Sequence, residues 1–130
     1  METEIRPVDI APGVIADSIA NGVRELCLAT LPGSCGFAWP SDVDRVVASL
    51  QLAAARLSQV LEQSEKWLDG ATEGGHVGHD LGYNPRDAVD DARKWLSTAI
   101  VDASTLARSL DVAHQYTSHL TGIVPARGDR

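Results

Sequence analysis

The chain has no uninterrupted apolar stretch longer than a few residues, far short of the roughly 20 a bilayer requires, so membrane insertion is disfavoured. Its first ten residues, METEIRPVDI, lack the basic-then-apolar pattern of a signal peptide, which argues for a cytoplasmic protein. Cysteine is scarce. Cys27 and Cys35 alone make neither a disulfide framework nor a four-ligand zinc site, and neither has a histidine beside it in sequence to act as its base. They read as free thiols in a reducing compartment. Positive charge is in deficit, with 11 Lys plus Arg against 18 Asp plus Glu and a net charge of −7, and only Lys66 and Lys94 are lysines. Such a balance repels phosphate backbones and disfavours direct nucleic-acid binding. There is no Walker loop, dinucleotide fingerprint, nucleophile elbow or HExxH, so the sequence points to no enzyme and to no cofactor.

What the chain does have is apolar periodicity. Hydrophobic residues make up 44% of its 130 residues, enough for one helical domain over 1–124 followed by a disordered tail at 125–130. Val43, Val47, Leu50, Ala54, Leu57, Leu61, Ser64 and Leu68 recur by alternating fours and threes, a heptad seam. Val46, Ala53, Val60 and Trp67 run beside it every seven residues and widen the stripe to the face of a bundle helix. With Ser41 as N-cap and Asp44 at N3, this predicts a helix over about 42–68. A second seam, Val89, Ala92, Leu96, Ala99, Ala103, Leu106, Leu110, Ala113, Thr117 and Leu120, follows Asn84 as N-cap and Pro85 at N1, and predicts a helix over 85–121 stopped by Gly122 and Pro125. A shorter helix is expected over 13–29, with a strand over Val23 to Leu28 as the alternative. Gly70 to Tyr83, with five glycines, reads as a long connection that is mobile or functional and that folding does not require.

The fold class is therefore all-α: a long antiparallel helical hairpin with a shorter N-terminal helix. Stripes this wide exceed what one hairpin buries, so completion to a four-helix bundle by homodimerisation is expected. Leu50, Leu57, Trp67, Trp95, Leu106 and Leu110 are the candidate interface residues. Trp67 and Trp95 fall near the loop end of their helices, where core packing or an aromatic anchor would use them. Leu57→Asp or Leu106→Asp, by placing a carboxylate in the seam, is expected to unfold the bundle or break its dimer. The function this suggests is a non-enzymatic protein-interaction module, serving an unidentified protein partner as well as its own second copy.

Two other readings follow from particular residues. His76, His79 and Asp80 place two imidazoles and a carboxylate within five positions, ligand types suited to zinc. Asp111 and His114 have the carboxylate-then-histidine spacing of di-metal bundle sites, although Glu62 and Glu65 on the other helix come without a second histidine. The −7 charge also allows an acidic inhibitor that imitates DNA, against which stand the many aspartates that first helical turns already explain.

The runs Trp39-Pro-Ser-Asp-Val-Asp-Arg-Val, Leu57-Ser-Gln-Val-Leu-Glu-Gln, Gly78-His-Asp-Leu-Gly-Tyr-Asn-Pro and Leu110-Asp-Val-Ala-His-Gln resemble small uncharacterised actinobacterial helical-hairpin proteins of a kind encoded on plasmids and integrated elements. The resemblance implies a host and a fold and carries no activity onto any residue. WXG100-type secreted hairpins are also similar in size. Here, however, the turn Trp67-Leu-Asp-Gly70 is one residue too long, and Leu120 stands where their export signal has an acidic residue after Tyr116.

Overall fold

A computed structural model describes residues 11–125; most of the expected tail at 125–130 lies outside the described residues. Among the described residues there are three helices and no strand: α1 (Pro12–Ala29), α2 (Pro40–Glu73) and α3 (Pro85–Thr117). The chain divides into two compact units between Ala38 and Trp39.

The first unit is built on α1. Pro12 opens it, and Thr30 closes it by donating its hydroxyl to the Leu26 carbonyl at 2.8 Å. Gly36 then passes so close to the Ala29 carbonyl that a Cβ would collide with it. No residue of α1 is buried, and Val14, Ile19, Val23 and Leu28 are all about half exposed.

The second unit is the hairpin of α2 and α3, which pack closely against each other. The N-cap of α2 is Trp39, two residues before the expected Ser41, with Pro40 at N1. Asp42, at N3, takes the Trp39 backbone N–H at 2.9 Å. This shift releases Asp44 from capping and leaves it free to face α3. At the far end α2 runs through Gly70 and past the expected stop at Leu68 to Glu73. The real stop is Gly75, whose φ of 75° suits a residue without a Cβ. His76 N–H bonds the Ala71 carbonyl at 2.9 Å and Gly75 N–H bonds that of Thr72 at 3.1 Å, which is the Schellman pair of hydrogen bonds.

Asn84 caps α3 as its sequence predicts, its side chain accepting from Arg86 N–H at 2.9 Å. The helix ends at Thr117, short of the expected residue 121, and Gly122 lies instead against the Trp39 ring, where a Cβ would clash with the indole. The open end of the hairpin is closed by that contact.

At the middle of the hairpin, where the two helices meet, the side chains are small. Ala54 and Ala107 are buried, and the Ser58 hydroxyl lies 3.0 Å from that of Ser104 and 3.4 Å from the Ile100 carbonyl. The contact line keeps Ala54 and Val89 of the predicted seams, both buried, and departs from them elsewhere: Ser58 and Glu65 face α3, whereas Leu57 and Ser64 are exposed. The departure follows from the width of the stripe. A seam read from periodicity marks the middle of the apolar arc, and α3 covers only one edge of it.

Candidate functional site

The two sides of the hairpin differ. At about 100° per residue, Leu50, Leu57, Val60 and Trp67 fall successively further round α2 from Ala54, all in the same sense. On α3, Leu110, Leu106 and Trp95 are displaced from Ala107 in that same sense, and because the helices are antiparallel both sets lie on one side of the hairpin. This side is apolar. Between its large residues stand Ala53, Ala92 and Ala99, so the surface has protrusions beside hollows.

It is also open. Trp67 is 69% exposed, Trp95 68%, Leu106 50% and Leu57 39%, while Leu50 and Leu110 are half-buried at its inner margin. The six candidate interface residues thus share one face, and the structure corrects two expectations about them. Leu57 and Leu106 do not lie in the intramolecular seam, and the tryptophans are not core, because the residues that turn toward the partner helix at those levels are Ser58, Ala107, Glu65 and Arg93.

The opposite side is polar and carries the cross-helix ion pairs. Arg93 donates through Nε and Nη2 to Glu65 Oε1 at 3.1 and 2.9 Å, and through Nη1 to Asp69 at 3.0 Å. The Glu65 hydrogen bonds first, and the negative charge of Asp69, Glu65 and Asp90 after them, hold the guanidinium pKa above its ordinary value against partial desolvation. Arg86 reaches Asp69 at 3.1 Å, Glu73 at 3.4 Å and Asp90 at 3.0 Å. Four carboxylates are thereby engaged by two arginines, which weakens the field that a DNA mimic would need.

At the open end, Asp44 Oδ1 accepts from the Thr117 hydroxyl at 2.7 Å and lies 2.8 Å from His114 Nδ1. The Thr117 bond lowers the carboxyl pKa most; desolvation opposes it, and the bond and charge of His114 add to it. His114 is therefore joined to α2 through Asp44, while Asp111, its expected companion in a metal motif, is exposed. Sequence reasoning missed this cluster because it assigned Asp44 to the cap. The Trp39-Pro40 pair, with Asp42 three residues after the tryptophan, is the signal that would have moved the cap and freed Asp44.

The connection between the helices, residues 74–84, has its own local order. His79 Nδ1 accepts from Leu81 N–H at 3.1 Å and its ring packs on Tyr83 with centroids 5.0 Å apart. Asp80 approaches the same ring nitrogen at 3.6 Å, and His76 turns back over Gly74. His76, His79 and Asp80 do not come together as ligands: among the described residues no group of three or more His, Cys, Asp or Glu side chains is placed to hold a metal ion. An open cleft of about 350 Å³ lies under the connection, lined by Thr72, Glu73, Val77, Asn84 and Arg86 among others. Cys27 and Cys35 are exposed free thiols in the first unit. No helix among the described residues is long and apolar enough to cross a membrane.

Compared with protein-family models, with curated proteins and with solved structures, the chain matches none. The reading of its function rests on its own geometry.

Proposed function

We propose that this chain is a non-enzymatic protein-interaction module whose hairpin pairs with a second copy to form a four-helix bundle. The observation that carries the reading is the single apolar side of the hairpin, on which Trp67 and Trp95 each leave more than two thirds of their surface in contact with water. Tryptophans beside small residues are the composition of binding hot spots, in which a ring fills a hollow on the other partner.

The dimensions support a stable pairing. Helices of 34 and 33 residues, about 50 Å long and about 10 Å wide each, offer a face on the order of 1,000 Å² per copy, above the ~800 Å² per partner of a standard interface. A second copy supplies a surface of the same length, width and apolar character, which is what an isologous contact requires.

Light scattering at micromolar concentration is the test. The parent chain is expected to run as a dimer, and Leu57→Asp or Leu106→Asp as a monomer that keeps its helical circular dichroism, because both residues lie outside the intramolecular contact line. A parent chain that stays monomeric would overturn the proposal. Loss of helicity in both variants would show instead that these leucines support the hairpin itself.

A further inference from the structure

Charge is nearly absent from the middle of the hairpin. On α2, Arg56 is the only charged residue between Arg45 and Glu62; on α3, Asp102 is the only one between Lys94 and Arg108. Both side chains are exposed, and among the described residues neither has an ion-pair or hydrogen-bond partner. Residues one turn away on the same helix carry no charge to offer them, since Leu52, Ala53, Gln59 and Val60 flank Arg56 while Thr98, Ala99, Thr105 and Leu106 flank Asp102. Each charge is opposite in sign to the other and isolated among uncharged neighbours.

Their placement is related. Arg56 is two residues beyond Ala54 and Asp102 five residues before Ala107, which turns each about 140–160° from the contact line, to the outer edge of the apolar side. They also stand at one level along the hairpin. Twelve residues along α2 from Asp44 is Arg56, and twelve back along α3 from its partner His114 is Asp102. Nine residues counted the other way from the Glu65 and Arg93 pair reach the same two positions. The apolar side thus has a positive charge at the middle of one edge and a negative charge directly across from it at the middle of the other.

We propose, on the homodimer reading above, that the second copy docks by a two-fold rotation about the long axis of the hairpin, so that Arg56 of each copy meets Asp102 of the other. With the helices of both copies aligned as in a four-helix bundle, a face-to-face dimer has two such choices, because its two-fold axis must lie in the plane of the interface, along the hairpin or across it. Rotation about the long axis sets α2 on α3 of the second copy, antiparallel, with both connections at the same end. Rotation about the cross axis sets α2 on α2 and α3 on α3, with the connections at opposite ends.

The edge residues decide between them. One heptad on either side of Arg56, the edge of α2 has Ser49 and Gln63; beside Asp102, that of α3 has Trp95 and Ser109. With α2 on α2, Arg56 therefore meets another arginine or a neutral edge, and Asp102 fares the same. With α2 on α3, two opposite-charge pairs form symmetrically at the centre of the bundle, and no charged edge residue at that level is left facing its like. The arrangement also gathers Trp67 and Trp95 of both copies at the connection end.

Charge reversal and cross-linking test the proposal in the full chain. Helical circular dichroism is expected to stay at the parent level throughout, since neither residue has a partner within the chain. Arg56→Asp and Asp102→Arg should each weaken the dimer about tenfold in a concentration series followed by light scattering, through two pairs changed from attraction to repulsion. The double variant Arg56→Asp/Asp102→Arg should return to within a few fold of the parent. In a background with Cys27 and Cys35 replaced by serine, R56C together with D102C should give a disulfide-linked dimer on mild oxidation, and R56C alone should not. A parent chain that is monomeric would overturn the homodimer and this orientation with it. A persistent dimer that tightens or does not change on single reversal, or that cross-links through R56C alone, would overturn the orientation while leaving the homodimer standing.

Discussion

The hydroxyls of Ser58 and Ser104 lie 3.0 Å apart across the middle of the hairpin, flanked along the contact line by the buried Ala54 and Ala107. Side chains this small let two long helices approach closely, and they leave no room for a larger group. Ala54→Leu and Ala107→Leu should each destabilise the hairpin by about 1–3 kcal/mol through overpacking, read as a lower midpoint in denaturant at fixed protein concentration. Ala55→Leu, one position away and exposed on the side opposite the apolar one, should not. If all three behaved alike, the contact line would not run through Ala54 and Ala107.

Asp44 gives a pH signature. Its carboxyl is held below the usual carboxylate range, first by the Thr117 hydroxyl, and further by His114 against the opposing effect of desolvation. A carboxyl with a lower pKa folded than unfolded adds stability at pH above its unfolded value of about 3.9, and that contribution is lost as the pH falls through the folded value. Asp44→Asn should therefore be less stable than the parent at pH 7 and begin to converge on it only as the pH falls below about 4. Thermal unfolding across that range checks the sign, and a gap that did not narrow on acidification would show that Asp44 contributes only packing.

The connection between the helices should tolerate replacement. Its exposed Leu81 and Tyr83 bury little, and closure entropy changes only slowly with loop length. Exchanging residues 77–82 for a Gly/Ser segment of equal length should leave the midpoint within a few degrees, provided that Gly74, Gly75, Asn84 and Pro85 are kept. Those four terminate α2 and start α3. A collapse of stability comparable to that of Ala54→Leu would mean that the packing of His79 on Tyr83 is structural.

Why some of this was readable in the sequence and some was not is a matter of range. The existence of α2 and α3, and the Asn84-Pro85 start, were legible because heptad spacing and capping act within a few residues. The edge of the stripe that α3 covers was not, since Leu57 and Ser58 are equally compatible with a wide apolar arc and only the partner's small residues choose between them. Nor were the bonds of Arg93 to Glu65 and of Asp44 to His114, whose partners are 28 and 70 residues apart. Leu57, Trp67, Trp95 and Leu106 are legible in the sequence only as apolar excess, and the structure leaves all four exposed.

Two glycines at one end of α2 should respond to the same substitution with opposite sign. Gly70 lies inside the helix, and a Cβ there would meet nothing within 4 Å. Gly70→Ala should stabilise by roughly 0.4–1 kcal/mol, because alanine loses less backbone freedom on folding and fits helical angles without strain. Gly75 also has open space around its Cβ position, yet its φ of 75° is left-handed. Gly75→Ala should destabilise by about 1–2 kcal/mol, since the Schellman bonds of His76 and Gly75 require that conformation. Denaturant midpoints of the two variants at equal protein concentration separate backbone conformation from side-chain packing, for neither new methyl group has a neighbour to strike. A stabilising Gly75→Ala would place the end of α2 elsewhere and return the connection to the longer Gly70 to Tyr83 span that glycine content alone suggests.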